Sequence, residues 1–316
     1  MAGIAFTPHR EYPNKGIVFR PLIDDLATTG ATHLSMVVQW SQDDVASERI
    51  FPHDVHTQKD AEVRSLVRYA QQRGLKVMLF PIVWVEQRAI GDWRGTLRPT
   101  DLDAWWASYE RFIWHYADMA AELGVEAFSV GSELGAMEHD RPRWLKLIAG
   151  VKGRFKGKLL YSANWDHYAY VTFWDQVDYV GMTAYHELTD RNDADQATLD
   201  AAWVKIRDQL LAWQSRVGKP LVITEVGYPS QDGGAKWPWN YTLDGPLDHA
   251  EQRMAYEAFV KAWQGQKALG GVFFWNWFGL GGPTCGDYTP RGKPAEEVIR
   301  RWYGGSAKLD ARAPAE

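Results

Sequence analysis

The sequence has little of what marks several large classes of protein. It has 316 residues and one cysteine, Cys285, so no internal disulfide can form. It has no run of about 18 apolar residues, so its hydropathy predicts no membrane span. Its formal net charge of -5 gives no electrostatic basis for binding nucleic acid or an anionic membrane surface. With 46% hydrophobic and 24% charged residues, we expect an ordinary globular protein.

The sequence also shows no recognisable secretory signal at its start, so none is expected in this sequence. A predicted strand begins within a few residues of Met1, and no charged and apolar segments precede it. Localisation therefore stays open: secreted or periplasmic if a signal peptide has been removed, and cytoplasmic otherwise.

Eight short apolar segments along the chain are typical of buried parallel strands. They are residues 3–8, 33–40, 75–84, 125–134, 158–165, 177–185, 220–226 and 271–278. Helical patterns lie between most of them, at 59–73, 102–123, 143–155, 197–217 and 249–267, and a last one follows at 293–302. Several of these helices end at a glycine just before the next strand, as at Gly74 and Gly124.

This alternation predicts an α/β protein, a (β/α)8 TIM barrel. No linker divides it, so we expect one domain over residues 1–304 and a polar, frayed tail over 305–316. A doubly wound sheet is the competing topology. However, the turn after the first strand, FTPHREYP, lacks the G-x-G-x-x-G pattern of a dinucleotide site.

Tryptophan is unusually abundant, with 17 residues, and aromatic residues make up 14% of the chain. Tryptophans on predicted helices, such as Trp106 and Trp203, are expected to pack in the core. Others lie at strand ends or in loops, such as Trp239 in the loop after the seventh strand. Aromatic faces stack on the C–H faces of sugar rings, so a concave site lined in this way suits a carbohydrate.

In a TIM barrel, functional residues lie at the carboxyl ends of the strands. The seventh strand, in LVITEVGYPS, has Glu225 where its apolar run stops, and the fourth ends in GSEL with Glu133. Candidate sugar contacts at the strand ends and in the loop noted above are Gln39, Trp40, Trp84, Asn164, Trp165, Tyr185, Trp239, Trp275 and Trp277. His9 and Arg10, after the first strand, can also reach this end.

Alternation along the strands predicts that both glutamates face the barrel interior. Glu133 shares its side with Ala127, Ser129 and Gly131, and Glu225 shares its side with Leu221 and Ile223. Two opposed carboxyl groups are what glycoside hydrolysis requires, one as general acid and the other as nucleophile. Either glutamate alone could instead belong to a buried ion pair. A tyrosine such as Tyr185 can keep the nucleophile ionised by hydrogen bonding.

Six segments also carry a resemblance to a known family. They are GSEL (131–134), YSANWD (161–166), DYVGMTAY (178–185), KPLVITEVGYPS (219–230), GVFFWNW (271–277) and YTPRGKPAEEVIRRWY (288–303). The sequence resembles glycoside hydrolase family 113, endo-β-mannanases in a large clan of retaining barrel glycosidases. The resemblance implies Glu133 as acid/base, Glu225 as nucleophile and β-1,4-mannan or glucomannan as substrate. Much of the clan has asparagine directly before the acid/base, where this sequence has Ser132.

The sequence thus predicts a retaining, endo-acting glycoside hydrolase that works by double displacement, without a cofactor and as a monomer. Another β-glycan, such as peptidoglycan or chitosan, is an alternative substrate, with Asp166 or Glu187 meeting amino groups. A non-catalytic carbohydrate-binding barrel is the further alternative. His53 and His56 have a spacing that suits a metal, but no H-E-x-x-H motif or matched carboxylate set accompanies them, so we expect no metal.

Overall fold

A computed structural model of the chain describes residues 1–8 and 19–304. His9 and Arg10, expected near the cleft, and the tail over 305–316 lie outside the described residues. Within the two described ranges, no helix combines the length and apolar character needed to cross a membrane.

The eight predicted strands form a closed parallel barrel. They are β1 (Ala2–Phe6), β2 (His33–Gln42), β4 (Lys76–Val85), β5 (Ala127–Ser132), β6 (Lys158–Ala163), β7 (Tyr179–Thr183), β8 (Leu221–Val226) and β9 (Leu269–Trp277). Neighbours pair in this order, and β1 pairs with both β2 and β9, which closes the sheet. A two-residue strand, β3 (Ile50–Phe51), pairs antiparallel with the end of β2. The TIM-barrel prediction is therefore confirmed.

Seven α-helices accompany the strands in the described part of the chain. They are α1 (Phe19–Ala27), α2 (Asp60–Gln72), α3 (Leu102–Leu123), α4 (Arg141–Arg154), α5 (Gln196–Val217), α6 (His249–Trp263) and α7 (Pro294–Tyr303). The sequence predicted all of them except α1. The helix ends follow local chemistry. In α3, for example, Asp101 accepts a hydrogen bond from the N–H of Ala104, and Gly124 ends the helix in the left-handed conformation.

Two apolar layers stabilise the barrel. The inner layer consists of strand residues alone: Val37, Met78, Phe80, Ile82, Ala127, Leu160, Val222 and Phe273. The larger outer layer, between strands and helices, contains fully buried tryptophans such as Trp105 and Trp144. Phe128 and Val130 also lie in this outer layer and Ala127 lies in the inner one, so the alternation predicted for β5 holds at its start. It fails after Ser129, because Ser129 and Ser132 pair with Leu160 and Ser162, so that one extra residue interrupts β5 and Gly131 faces the outer layer.

The alternation predicted for β8 is wrong. Leu221 and Ile223 lie in the outer layer, and Val222 lies inside. Ile223 and Glu225 pair with two successive residues of β7, so one extra residue interrupts the regular pattern of β8. This irregularity places Glu225 on the side opposite to that of Ile223.

Candidate active site

Glu133 directly follows β5 at the carboxyl end of the barrel. Its side chain is 7% exposed, and its backbone N–H donates to the carbonyl of Ser162 on β6 at 2.7 Å. Its φ angle is +54°, which makes it the single non-glycine residue with a positive φ in residues 1–8 and 19–304. Such a conformation persists only where the surrounding structure fixes it.

Glu225 lies within β8 and is buried. Its Oε2 accepts a hydrogen bond from the hydroxyl of Tyr185 at 2.8 Å. Its other oxygen, Oε1, is also buried and has no hydrogen-bond partner in the described part of the chain. Burial raises the pKa of Glu225 and the negative charge of Glu133 raises it further, whereas Arg94 and the Tyr185 hydroxyl act in the opposite direction. Oε1 is thus the oxygen available to react.

Arg94 links the two glutamates electrostatically. It begins a short 3-10 helix, Arg94–Thr96, in the loop after β4, and its guanidinium donates to Oε2 of Glu133 at 2.5 Å. Burial lowers the pKa of Arg94, but the charges of Glu133 and Glu225 outweigh burial and raise it. Two buried carboxyl groups therefore share one cation.

Four of the predicted aromatic contacts keep exposed surface near this end of the barrel. Trp84 is the last residue but one of β4, Trp165 follows β6, and Trp275 lies near the end of β9; all three are partly exposed. Trp239, in the loop after β8, is 48% exposed, and its indole N–H donates to Glu187 at 3.1 Å. These rings are available for stacking on sugars.

Two loops meet across the mouth of the barrel. Arg88, after β4, donates to the hydroxyl of Tyr241, in the loop after β8, at 2.8 Å. The Arg88 guanidinium also lies 4.6 Å from the ring centroid of Trp84 and 5.7 Å from that of Tyr241. Because β4 and β8 are the third and seventh strands of the barrel, they lie on opposite sides, and the contact spans the cleft.

Two predicted polar contacts also lie on the inner or upper side of the barrel. Gln39 is buried in β2 on the side of Val37, which fills the interior. Asn164 follows β6; its amide nitrogen donates to Asp166 at 2.7 Å, and its oxygen accepts from the Thr183 hydroxyl at 3.3 Å.

Two tryptophans lie elsewhere than the sequence predicted. Trp40 belongs to the outer side of β2, where its ring packs against Phe112 and His115 of α3, each at 5.3 Å between centroids. Strand alternation explains this, since the neighbouring Gln39 takes the inner side. Trp277 is fully buried in the outer layer, so it offers no surface to a sugar in this structure. We leave Trp40 and Trp277 out of the candidate site.

Arg94 is the main site residue that the sequence did not reveal. It lies in a loop between β4 and α3, away from any strand end. A possible signal was chemical: two buried carboxyl groups in one barrel require a positive charge nearby. The alternative in which each glutamate belongs to a buried ion pair thus applies to Glu133, which pairs with Arg94. Glu225, however, is hydrogen-bonded to a tyrosine.

The histidines near the rim have structural explanations. His53 and His56 stack at 4.4 Å, and they lie within reach of Glu86 as a group that could surround an ion. Nδ1 of His53 already accepts backbone N–H groups from Val55 and His56 at 3.2 Å, and Nδ1 of His56 lies 2.9 Å from Glu86. Because its Nδ1 accepts these hydrogen bonds, neutral His53 carries its proton on Nε2, whereas the Nε2 of His56 keeps a lone pair.

The site combines what covalent glycoside cleavage needs. It has a buried carboxyl group with one unpaired oxygen, a second carboxyl group beside a cation, a tyrosine hydroxyl and a partly exposed aromatic rim. General acid chemistry and nucleophilic attack require two carboxyl groups with different surroundings.

Comparisons with known proteins agree with this geometry. The family model of Glycoside Hydrolase Family 113 matches residues 19–279. A GH113 β-mannanase, AaManA from Alicyclobacillus acidocaldarius, is 28% identical with a TM-score of 0.85, and the match covers 96% of this chain and 97% of that one. A GH113 β-1,4-mannanase solved as a complex is 26% identical with a TM-score of 0.84, covering 96% and 98%.

More distant structures share only the fold. Fungal β-1,4-galactanases, at 17% identity, match with a TM-score of 0.63 over 95% of this chain and 98% of theirs. A search of curated protein sequences found no match. The family match, over residues 19–279, covers most of the chain. The chain belongs to glycoside hydrolase family 113 and is a glycoside hydrolase.

Proposed function

We propose that this chain is a retaining endo-β-1,4-mannanase, acting on mannan or glucomannan. The observation that carries the proposal is the convergence of Glu133, Glu225, Arg94 and Tyr185 in the barrel mouth. Similar proteins of 26–28% identity, named as β-mannanases, support the choice of substrate. The partly exposed tryptophans supply stacking surface for the sugar rings.

In the first half of the reaction, Oε1 of Glu225 attacks the anomeric carbon. The bond from that carbon to the glycosidic oxygen breaks as Glu133 transfers its proton to the departing oxygen. Tyr185 donates to Oε2 of Glu225, which stabilises the carboxylate and leaves Oε1 unobstructed. The product is a glycosyl ester on Glu225 and a shortened chain.

In the second half, water attacks the same carbon and the ester bond to Glu225 breaks. Glu133, now a carboxylate, takes the proton from that water, and the starting protonation is restored. Two inversions at one carbon retain the configuration. Arg94 stabilises the negative charge that alternates between the two carboxyl groups.

The substrate proposal is tested by chromatography of digests with a panel of polymers. We expect oligosaccharides of several lengths from mannan and glucomannan early in the digest, and no release from chitosan or peptidoglycan fragments. If products are released from chitosan or peptidoglycan but not from mannan or glucomannan, the substrate is that other polymer and not mannan. Binding by calorimetry with no product from any polymer would favour a carbohydrate-binding barrel.

Arg94 should control the acidic limb of the pH profile of kcat/KM, which reports ionisations of the free enzyme. Glu225 must be ionised to attack, so activity falls as the pH drops below its pKa. The Arg94 charge lowers that pKa, so Arg94→Gln should move the acidic limb to higher pH. Arg94→Lys keeps the charge and should keep the limb near its wild-type position. An unmoved limb in Arg94→Gln would show that Arg94 does not act on the nucleophile.

The contact across the mouth should slow the entry of long chains. An endo-acting enzyme must admit the middle of a polymer, and the Arg88–Tyr241 contact lies in its way. Exposed pairs contribute about 0.2–1 kcal/mol. Arg88→Ala should therefore raise the ratio of kcat/KM for mannan to that for mannopentaose by up to about fivefold.

Arg98→Ala is the matched control, since Arg98 lies in the same loop and pairs with Asp92 instead. It should leave the ratio unchanged. A fall of the ratio in Arg88→Ala would mean that the contact holds the polymer rather than obstructing it.

A further inference from the structure

The peptide after Glu133 is held by a buried pair of side chains that the reaction itself does not use. The N–H of Leu134 donates to the hydroxyl of Tyr161 at 2.9 Å, and that hydroxyl donates to Oε1 of Glu138 at 2.7 Å. Tyr161 and Glu138 are 0% and 1% exposed. A short 3-10 helix, Gly135–Met137, turns the chain after Leu134, and the side chain of Glu138 then reaches the hydroxyl of Tyr161.

We propose that Tyr161 and Glu138 are positioning residues that fix Glu133 in its left-handed conformation and so aim its carboxyl group at the glycosidic oxygen. The inference rests on the proposed acid/base role of Glu133. Its φ of +54° is unfavourable for a side-chain-bearing residue and requires fixed neighbours. Ser162 fixes the peptide before Glu133, and Tyr161 fixes the peptide after it.

The direction of the hydrogen bonds explains why both side chains are needed. A tyrosine hydroxyl has one proton, and a carboxyl oxygen of Glu138 accepts it. The lone pairs of the hydroxyl then face the N–H of Leu134. Without an acceptor at residue 138, the hydroxyl proton is free to turn toward that N–H and break the contact.

The surroundings of Glu138 are consistent with a role beyond packing. Burial raises its pKa to about 7, while the hydroxyl of Tyr161 and the nearby His167 act in the opposite direction, and Glu133 adds to the rise. His167 Nδ1 lies 3.5 Å from Oε2 of Glu138. Burying a carboxyl group costs stability, and a nonpolar residue at this position would avoid that cost.

The test compares two leaving groups in Tyr161→Phe, which keeps the ring and its edge contacts with Trp144 and Phe173. A misplaced acid slows cleavage only when the leaving group needs a proton. A displacement of about 1 Å costs about a hundredfold, so kcat/KM for mannopentaose should fall about 10- to 100-fold. For 2,4-dinitrophenyl β-mannobioside, whose leaving group needs no proton, it should change less than about threefold.

Two substitutions of Glu138 provide the second test, which stands even if Tyr161→Phe folds poorly. Glu138→Gln retains an acceptor oxygen and should stay within about threefold of wild type on both substrates. Glu138→Met has similar length without that oxygen and should show the selective loss on mannopentaose. Tyr109→Phe is the control, because its buried hydroxyl contacts the carbonyl of Val130 on the same strand. Tyr109→Phe should change kcat/KM by the same factor for both substrates.

Glu133→Ala separates this inference from the proposed function. If Glu133→Ala does not lower kcat/KM for mannopentaose more than for the dinitrophenyl glycoside, the acid/base assignment fails. If Glu133→Ala shows this selective loss, but Tyr161→Phe and Glu138→Met lower both substrates equally or neither, the positioning role is overturned.

Discussion

Replacing Glu225 with glutamine should lower kcat on mannopentaose by on the order of 10⁵-fold. Glutamine keeps the shape and can still accept from Tyr185, but its amide cannot form the glycosyl ester. The measurement is chromatography of initial product release at saturating mannopentaose, beside wild type. Glu122→Gln, at a surface position on α3 paired with Arg64, should cleave at the wild-type rate.

Unfolding should not explain this loss. Burial raises the pKa of Glu225 above its value in the unfolded chain, so ionised Glu225 destabilises the folded state increasingly as pH rises through and beyond the ordinary glutamate range. Glutamine carries no charge, and Glu225→Gln should melt at or above the wild-type temperature at pH 8. Equal cleavage by the variant and wild type would contradict the role of Glu225 as nucleophile.

Replacing Glu133 with alanine should have an effect that depends on the leaving group. General acid catalysis contributes about 10²- to 10⁴-fold, so kcat/KM for mannopentaose should fall by about that factor. For the dinitrophenyl glycoside, the first step needs no proton and kcat/KM should change little. Its kcat should fall because no base activates the water in the second step.

Azide supplies a further diagnosis of Glu133→Ala. The small anion can enter the space left by the carboxylate and attack the glycosyl ester without a base, so kcat for the dinitrophenyl substrate should rise and a β-glycosyl azide should form. Product configuration is read by NMR. An α-glycosyl azide, or no response to azide, would contradict the assignment of Glu133 as acid/base on the face opposite Glu225.

The barrel could be predicted because each strand and most helices have a local signal. Apolar runs and amphipathic spacing recur along the chain, and a glycine ends some of the helices, as at Gly124 after α3. Helix α1 was not predicted, although Leu22, Ile23 and Leu26 form its buried face. It is a short helix, and a nine-residue pattern carries little periodic information.

The site was harder to predict than the barrel, because the direction of each side chain depends on how its strand pairs with strands that are distant in sequence. Regular alternation accounts for neither glutamate, because one extra residue interrupts β5 before Glu133 and another interrupts β8 before Glu225. Adjacent residues at a strand end also go opposite ways, which is why Gln39 faces inward and Trp40 packs on α3. Arg94 comes from a loop, where no local pattern indicates which residue reaches the barrel mouth.

The most direct test of the central claim is mass spectrometry of the enzyme after inactivation by a 2-deoxy-2-fluoro-β-mannosyl fluoride. Fluorine at the second carbon slows both the formation and the breakdown of the glycosyl ester, and the good leaving group at the anomeric carbon speeds only its formation, so the intermediate accumulates. The account predicts one fluorosugar per chain, on the peptide that contains Glu225, and none on Glu225→Gln. A label on another residue, or turnover with no adduct and an inverted product, would contradict double displacement through Glu225.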